Sequence, residues 1–167
     1  MNNFENFDEI EIKIKNLLDA LVIEADEKKY EGNTIWTNRI KELLRDLGWE
    51  LGFEVCPDGS SNPAWLFDLN WYLTNEDDRI ISLPLVVESE WNRDLRSIRY
   101  DFEKLLTSNA EHRLMICQAK TELIEERFQY FEKAVQDYCL NNKNDRYLIA
   151  ILDDYNTGEF IYKLLIK

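Results

Sequence analysis

Apolar residues recur at three- and four-residue spacing from Phe7 to about Lys29, where Ile10, Ile14, Leu17, Leu18, Leu21 and Val22 predict an amphipathic helix. Gly32-Asn33 interrupts it. A second helix is expected from about Thr34 to Leu47, with Trp36, Ile40, Leu43 and Leu47 on one face and Gly48 as its stop. The period then changes from helical to alternating. Glu50–Val55 reads as a short strand and Cys56–Pro63 as a loop. From Trp65 to Leu73, residues Trp65, Phe67, Leu69, Trp71 and Leu73 point one way, and Asp68 and Asn70 the other.

Asn75-Glu76-Asp77-Asp78 reads as a hairpin loop, and Ile80–Glu90 contains the next strand, whose apolar run Leu83–Val87 ends in Glu88-Ser89-Glu90. A helix over about Arg93–Leu106, a strand over Arg113–Cys117 and a long helix over Thr121–Leu140 follow. Tyr147–Leu152 and Phe160–Leu165 are the last strands, joined by a turn through Asp154–Gly158. The predicted order is α-α-β-β-β-α-β-α-β-β, an α/β chain. No repeat, low-complexity tract or linker divides it, so a single domain over 1–167 is expected.

The amphipathic elements draw on ample apolar material, since 45% of residues are hydrophobic and 13% aromatic. Charge changes the picture more, because a formal net charge of −13 repels polyanions unless a basic patch or metal ions intervene. One such patch is readable. The window Trp91–Lys120 holds six basic and four acidic residues, +2 against −15 for the rest. Within it Arg93, Arg96 and Arg99 recur at three-residue spacing, suited to bidentate phosphate contacts or, alternatively, to ion pairs with Asp94, Asp101 and Glu103.

The cysteines, Cys56, Cys117 and Cys139, are odd in number and far apart, and His112 is the only histidine, which argues against a structural zinc site and for reduced thiols. Met1-Asn2-Asn3-Phe4-Glu5 has no signal-peptide character, and no apolar run approaches the roughly 20 residues of a membrane helix. A cytoplasmic location without membrane partners is expected. His112 reads as a surface or capping residue rather than a general base, and Trp65, Trp71 and Trp91 as packing residues.

The candidate chemistry lies in carboxylates on neighbouring strands. Glu88 and Glu90 project from one face of a strand, and a hairpin lays Asp68 beside them. Three clustered carboxylates repel unless a cation lies between them, and hard ions such as Mg²⁺ take such oxygen ligands. The competing reading is a solvated or ion-paired acidic face.

Helix, strand, strand with an acid, strand with Glu88-Ser89-Glu90, helix, strand resembles the core of the PD-(D/E)xK nuclease superfamily over about residues 34–117. Trp65–Trp71 and Asp101–Leu106 resemble the corresponding segments of its bacterial members. The resemblance implies a restriction-endonuclease-like mixed sheet flanked by helices. It also implies Mg²⁺- or Mn²⁺-dependent phosphodiester hydrolysis, with Asp68 as first acid, Glu88 as second and Glu90 at the usual lysine position. Lys104 on the following helix would act as a migrated lysine, and the arginine row would contact phosphate. Phe67, not proline, precedes Asp68, and Glu42 falls on the solvent side of its helix. The alternative is a catalytically inactive nuclease fold kept as an interaction, regulatory or immunity-type protein. Restriction enzymes of this type often dimerise, which leaves a homodimer open.

Overall fold

The first helix, α1 (Glu9–Lys28), is set by its opening residues. Asp8 accepts the Glu11 N–H at 3.0 Å while the Glu11 carboxylate accepts the Asp8 N–H at 3.0 Å, a reciprocal capping box. Ile14, Leu18, Leu21 and Ala25 form its buried stripe, and Lys29 ends it in the left-handed region at φ 55°. In this computed structural model, which describes residues 4–60 and 64–167, four α-helices flank one six-stranded sheet. The end of the expected Cys56–Pro63 loop and the first three residues of the chain lie outside the described residues.

Helix α2 (Asn33–Glu50) runs past the glycine expected to stop it. Gly48 is a buried helical residue, and a Cβ there would stand 2.5 Å from the Trp71 indole nitrogen and 2.8 Å from the Val55 Cγ2. The missing side chain admits Trp71, whose indole N–H donates to the Leu44 carbonyl at 2.9 Å. The turn falls instead to Gly52, at φ +85°. Strand β1 is correspondingly short, Glu54–Cys56 rather than 50–55.

Strand β2 covers Leu69–Thr74 and β3 Ile80–Glu90. Helix α3 (Leu95–Leu106), β4 (His112–Ala119), α4 (Ile124–Asp137), β5 (Arg146–Asp153) and β6 (Phe160–Ile166) complete the order. The expected strand start at Trp65 is four residues early. The β1 ladder reaches only Cys56↔Asn70 and the β3 ladder only Leu69↔Val87, so residues 65–68 have no ladder partner. Trp65 and Leu66 are exposed there, and Phe67 packs against the opposite cluster from Leu69 and Trp71. The expected helix over Thr121–Leu140 is also shorter, with a 3-10 turn at Thr121–Leu123 before α4.

The strands lie in sequence order, β1 to β6. β2 is antiparallel to both neighbours, β3, β4 and β5 are mutually parallel, and β6 is antiparallel to β5. Alternation along the strands separates two cores. Leu85, Val87, Leu114, Ile116, Leu148 and Ala150 pack with α1 and α2. Val86, Met115, Cys117, Ile149 and Ile151 pack with α3 and α4. This layering places the final residues of β3 between α2 on one side and α3 on the other. Among the described residues no helix is long and apolar enough to cross a membrane.

Candidate functional site

Where β2 begins, β3 is ending, and the two carry the expected acids. The ladder pair Leu69↔Val87 sets Asp68 level with Glu88, one step beyond the last bridged pair. Glu88 shares its face with Val86, so it turns toward α3, where Lys104 donates to its Oε2 at 2.8 Å. The same ammonium lies 2.8 Å from Asp101 Oδ1, one turn back on α3. Asp68 precedes the strand proper, and its carboxylate meets Ser89 and α2 rather than α3. Its Oδ2 accepts the Ser89 N–H at 2.9 Å and the Ser89 hydroxyl at 3.0 Å, and its Oδ1 lies 3.2 Å from the Lys41 ammonium on α2.

Glu88 is 1% exposed, and its Oε1 has no hydrogen-bond partner. Burial pushes its carboxyl up to about 8, against the hydrogen bond and charge of Lys104, and the nearby charges of Asp68 and Asp101 push the same way. For Lys104, burial alone acts to lower the pKa, but hydrogen bonds to Asp101 and Glu88 outweigh it and raise the value. Asn70 adds to the polar load. It is fully buried with both amide atoms unpartnered, and it pairs with Val86, diagonal to Glu88 on the same face.

Glu88 and Lys104 are therefore brought into contact, Asp68 stands level with Glu88 but is held by Ser89 and Lys41, and Glu90 is turned elsewhere. Its Oε1 accepts the Asn92 N–H at 2.6 Å, closing the turn into α3. Asp68, Glu88 and Glu90 do not form a group whose ligand atoms all lie within 4.8 Å of one another. The arginine row is exposed but partly engaged elsewhere. Arg93 pairs with Asp154 after β5, and Arg99 with Glu103 at 2.6 Å. Arg113, counted in the same basic window, is buried over the Tyr147 ring and donates to Ser108, out of reach of a phosphate chain. Glu42 is exposed and pairs with Arg39.

Lys41 escaped the sequence reading, and Ser89, Asn70 and Asp101 entered it without a role beside Asp68 and Glu88. Lys41 carried a signal, since it follows buried Ile40 and precedes buried Leu44 by three residues, at the border of the apolar stripe. Asp101 stands three residues before Lys104, the helical spacing for a shared ion pair.

A second charged group lies at the other end of the parallel strands. Asp8, Glu11 and His112 have ligand atoms within 4.8 Å of one another. The guanidinium of Arg146 already fills that space, donating to Glu11 at 2.8 and 2.6 Å and lying 3.4 Å from Asp8. His112 corrects the surface expectation. It is buried, with Nε2 2.6 Å from Asp8 Oδ2 and Nδ1 3.0 Å from the Pro84 carbonyl oxygen. This group is a hydrogen-bonded ion network with a cation in place.

Compared with protein-family models, curated proteins and solved structures, the chain finds no significant match in any of the three.

Proposed function

We propose that the chain is a Mg²⁺- or Mn²⁺-dependent phosphodiesterase of the PD-(D/E)xK type acting on nucleic acid, with Asp68, Glu88 and Lys104 at its centre. The observation that carries this reading is the Glu88 carboxylate, buried on a central strand with one oxygen on Lys104 and the other unpartnered, level with a second acid. With Lys104 on one oxygen, the unpartnered second oxygen is a place for a proton or for a further cation. Oxygen donors from Asp68 and Glu88 fit a hard divalent ion. The mixed sheet flanked by helices supports the restriction-endonuclease-like assignment.

In this reading Asp68 and Glu88 would hold the ion, which would supply polarisation of a phosphoryl oxygen and a lowered pKa for a bound water. Lys104, fixed between Glu88 and Asp101, stabilises negative charge developing on the phosphoryl group. Glu90, with one oxygen committed to Asn92, is left out of the ligand set. Arg93, Arg96 and Arg99, exposed at and along the start of α3, supply contacts to flanking phosphates. The odd, widely spaced cysteines favour the cytoplasm as the site of action.

A second reading, a nuclease fold kept for binding a protein partner, draws on the Lys41–Asp68 pair and on the net charge of −13. Calorimetric titration with Mn²⁺, followed by cleavage assays on single- and double-stranded substrates, separates the two. Wild-type binding that disappears in Glu88→Ala, with metal-dependent cleavage, is the expected result. Absence of both binding and cleavage at millimolar metal overturns the nuclease reading in favour of the second.

A further inference from the structure

Both oxygens of Asp68 are engaged: Oδ2 by the Ser89 N–H and hydroxyl, and Oδ1 by Lys41 at 3.2 Å. Glu88 differs, because Lys104 takes Oε2 and leaves Oε1 open. The two lysines thus treat the two acids unequally. Lys104 is braced from two sides, by Glu88 and Asp101, each at 2.8 Å. Lys41 has Asp68 as its one ion-pair partner among the described residues, and both side chains are 29% exposed, so the pair opens to water without unpacking a core. The α2 backbone beneath it is pinned by buried Ile40 and Leu44, which leaves only the four-carbon stem of Lys41 to move.

We propose that Lys41 is a gate on the site: an internal counter-ion that occupies Asp68 and must be displaced before a divalent cation binds. The inference rests on the metal-site reading of Asp68 and Glu88. A divalent ion on Asp68 needs the oxygen that the ammonium now faces, and at contact distance the two cations repel. Displaced, the ammonium stays tethered beside the site, where a phosphate-bearing ligand gives it a new partner. Lys41 is a positioning residue in this scheme, acting on the ion through Asp68.

The test is calorimetric titration of the full chain with Mn²⁺ alone, comparing wild type, Lys41→Met, Asp68→Asn and the double variant. Lys41→Met keeps the stem and removes the charge, and Lys41→Gln replaces it if the first variant does not fold. Removing the competing cation is expected to tighten Mn²⁺ binding about tenfold, and adding Asp68→Asn is expected to abolish that gain. Binding in Lys41→Met with none in wild type supports the gate in its strongest form. Equal affinity in wild type and Lys41→Met overturns the gate and leaves the metal site standing. A gain that survives in the double variant also overturns it, because the ion is then not on Asp68. No binding in wild type or in either Lys41 variant overturns both the gate and the metal site.

Discussion

The parallel strands carry a charged cluster at each end, and the two are built differently. At the amino ends of β4 and β5, Asp8, Glu11, His112 and Arg146 form a closed set. Both Glu11 oxygens accept from Arg146, and one also accepts the Asp8 N–H. The Asp8 oxygens meet the Glu11 N–H and His112 Nε2. At the carboxyl end of β3, Glu88 keeps an unpartnered oxygen and Asn70 an unpartnered amide, both buried. A saturated network fixes α1 onto the sheet. An unsaturated one costs stability, and such costs persist where a ligand offsets them. The difference separates a structural cluster from a candidate site more sharply than residue type does, since the closed cluster holds the group of potential metal ligands and the open one does not.

The largest expected effect tests the structural side. Arg146→Ala leaves Glu11, 1% exposed, as a buried carboxylate without its bidentate partner. The expected loss is about 3 kcal/mol of unfolding free energy, measured by urea denaturation. A loss below about 1 kcal/mol, the range of exposed ion pairs, would show that the closed cluster is not what anchors α1.

The open cluster is expected to respond with the opposite sign. With its native carboxyl at about 8 against an ordinary 4.5, Glu88 holds a proton in the folded chain that the unfolded chain has released. Unfolding between those values therefore releases a proton, so stability falls as pH rises from about 4.5 to about 8 and levels off above. Glu88→Gln removes that slope and is expected to be about 2 kcal/mol more stable than wild type at pH 8. Denaturation curves at pH 5, 6.5 and 8 read it directly. Millimolar Mg²⁺ is expected to flatten the wild-type slope and to leave Glu88→Gln unchanged. A Glu88→Gln variant less stable than wild type at pH 8 would make Glu88 a structural ion-pair member like Glu11.

The contrast also marks what the chain made legible. Helix and strand periods located α1, α2 and β3 because each buries one continuous stripe or run. The level of Asp68 with Glu88 was readable from the hairpin, but the two-residue period fails at residue 68, which lies before β2 and binds Ser89 and Lys41. Long-range partners were not readable. His112 meets Asp8 across 104 positions and Arg146 meets Glu11 across 135, so no local pattern reveals the closed cluster. Gly48 misled for a related reason: its role is set by Trp71 from β2, not by its own helix. Glu90 shares its parity with Glu88, yet the turn into α3 supplies a nearer donor in the Asn92 N–H.

The smallest expected effect concerns the arginine row. Arg99 is exposed and pairs with Glu103 one turn away on the same helix, an arrangement that solvent and salt screen to little net stability. Arg99→Ala is therefore expected to leave both the urea midpoint and Mn²⁺ affinity unchanged, since the pair touches neither Glu88 nor Asp68. Its effect should appear only with a phosphodiester ligand present, as weaker binding and a reduced dependence of affinity on salt. Salt-dependent binding of a short oligonucleotide, measured by fluorescence anisotropy for wild type and Arg99→Ala, decides the matter. An unchanged salt slope would confine Arg99 to the ordinary charged face of α3 and leave Arg93 and Arg96 as the remaining candidates for phosphate contact.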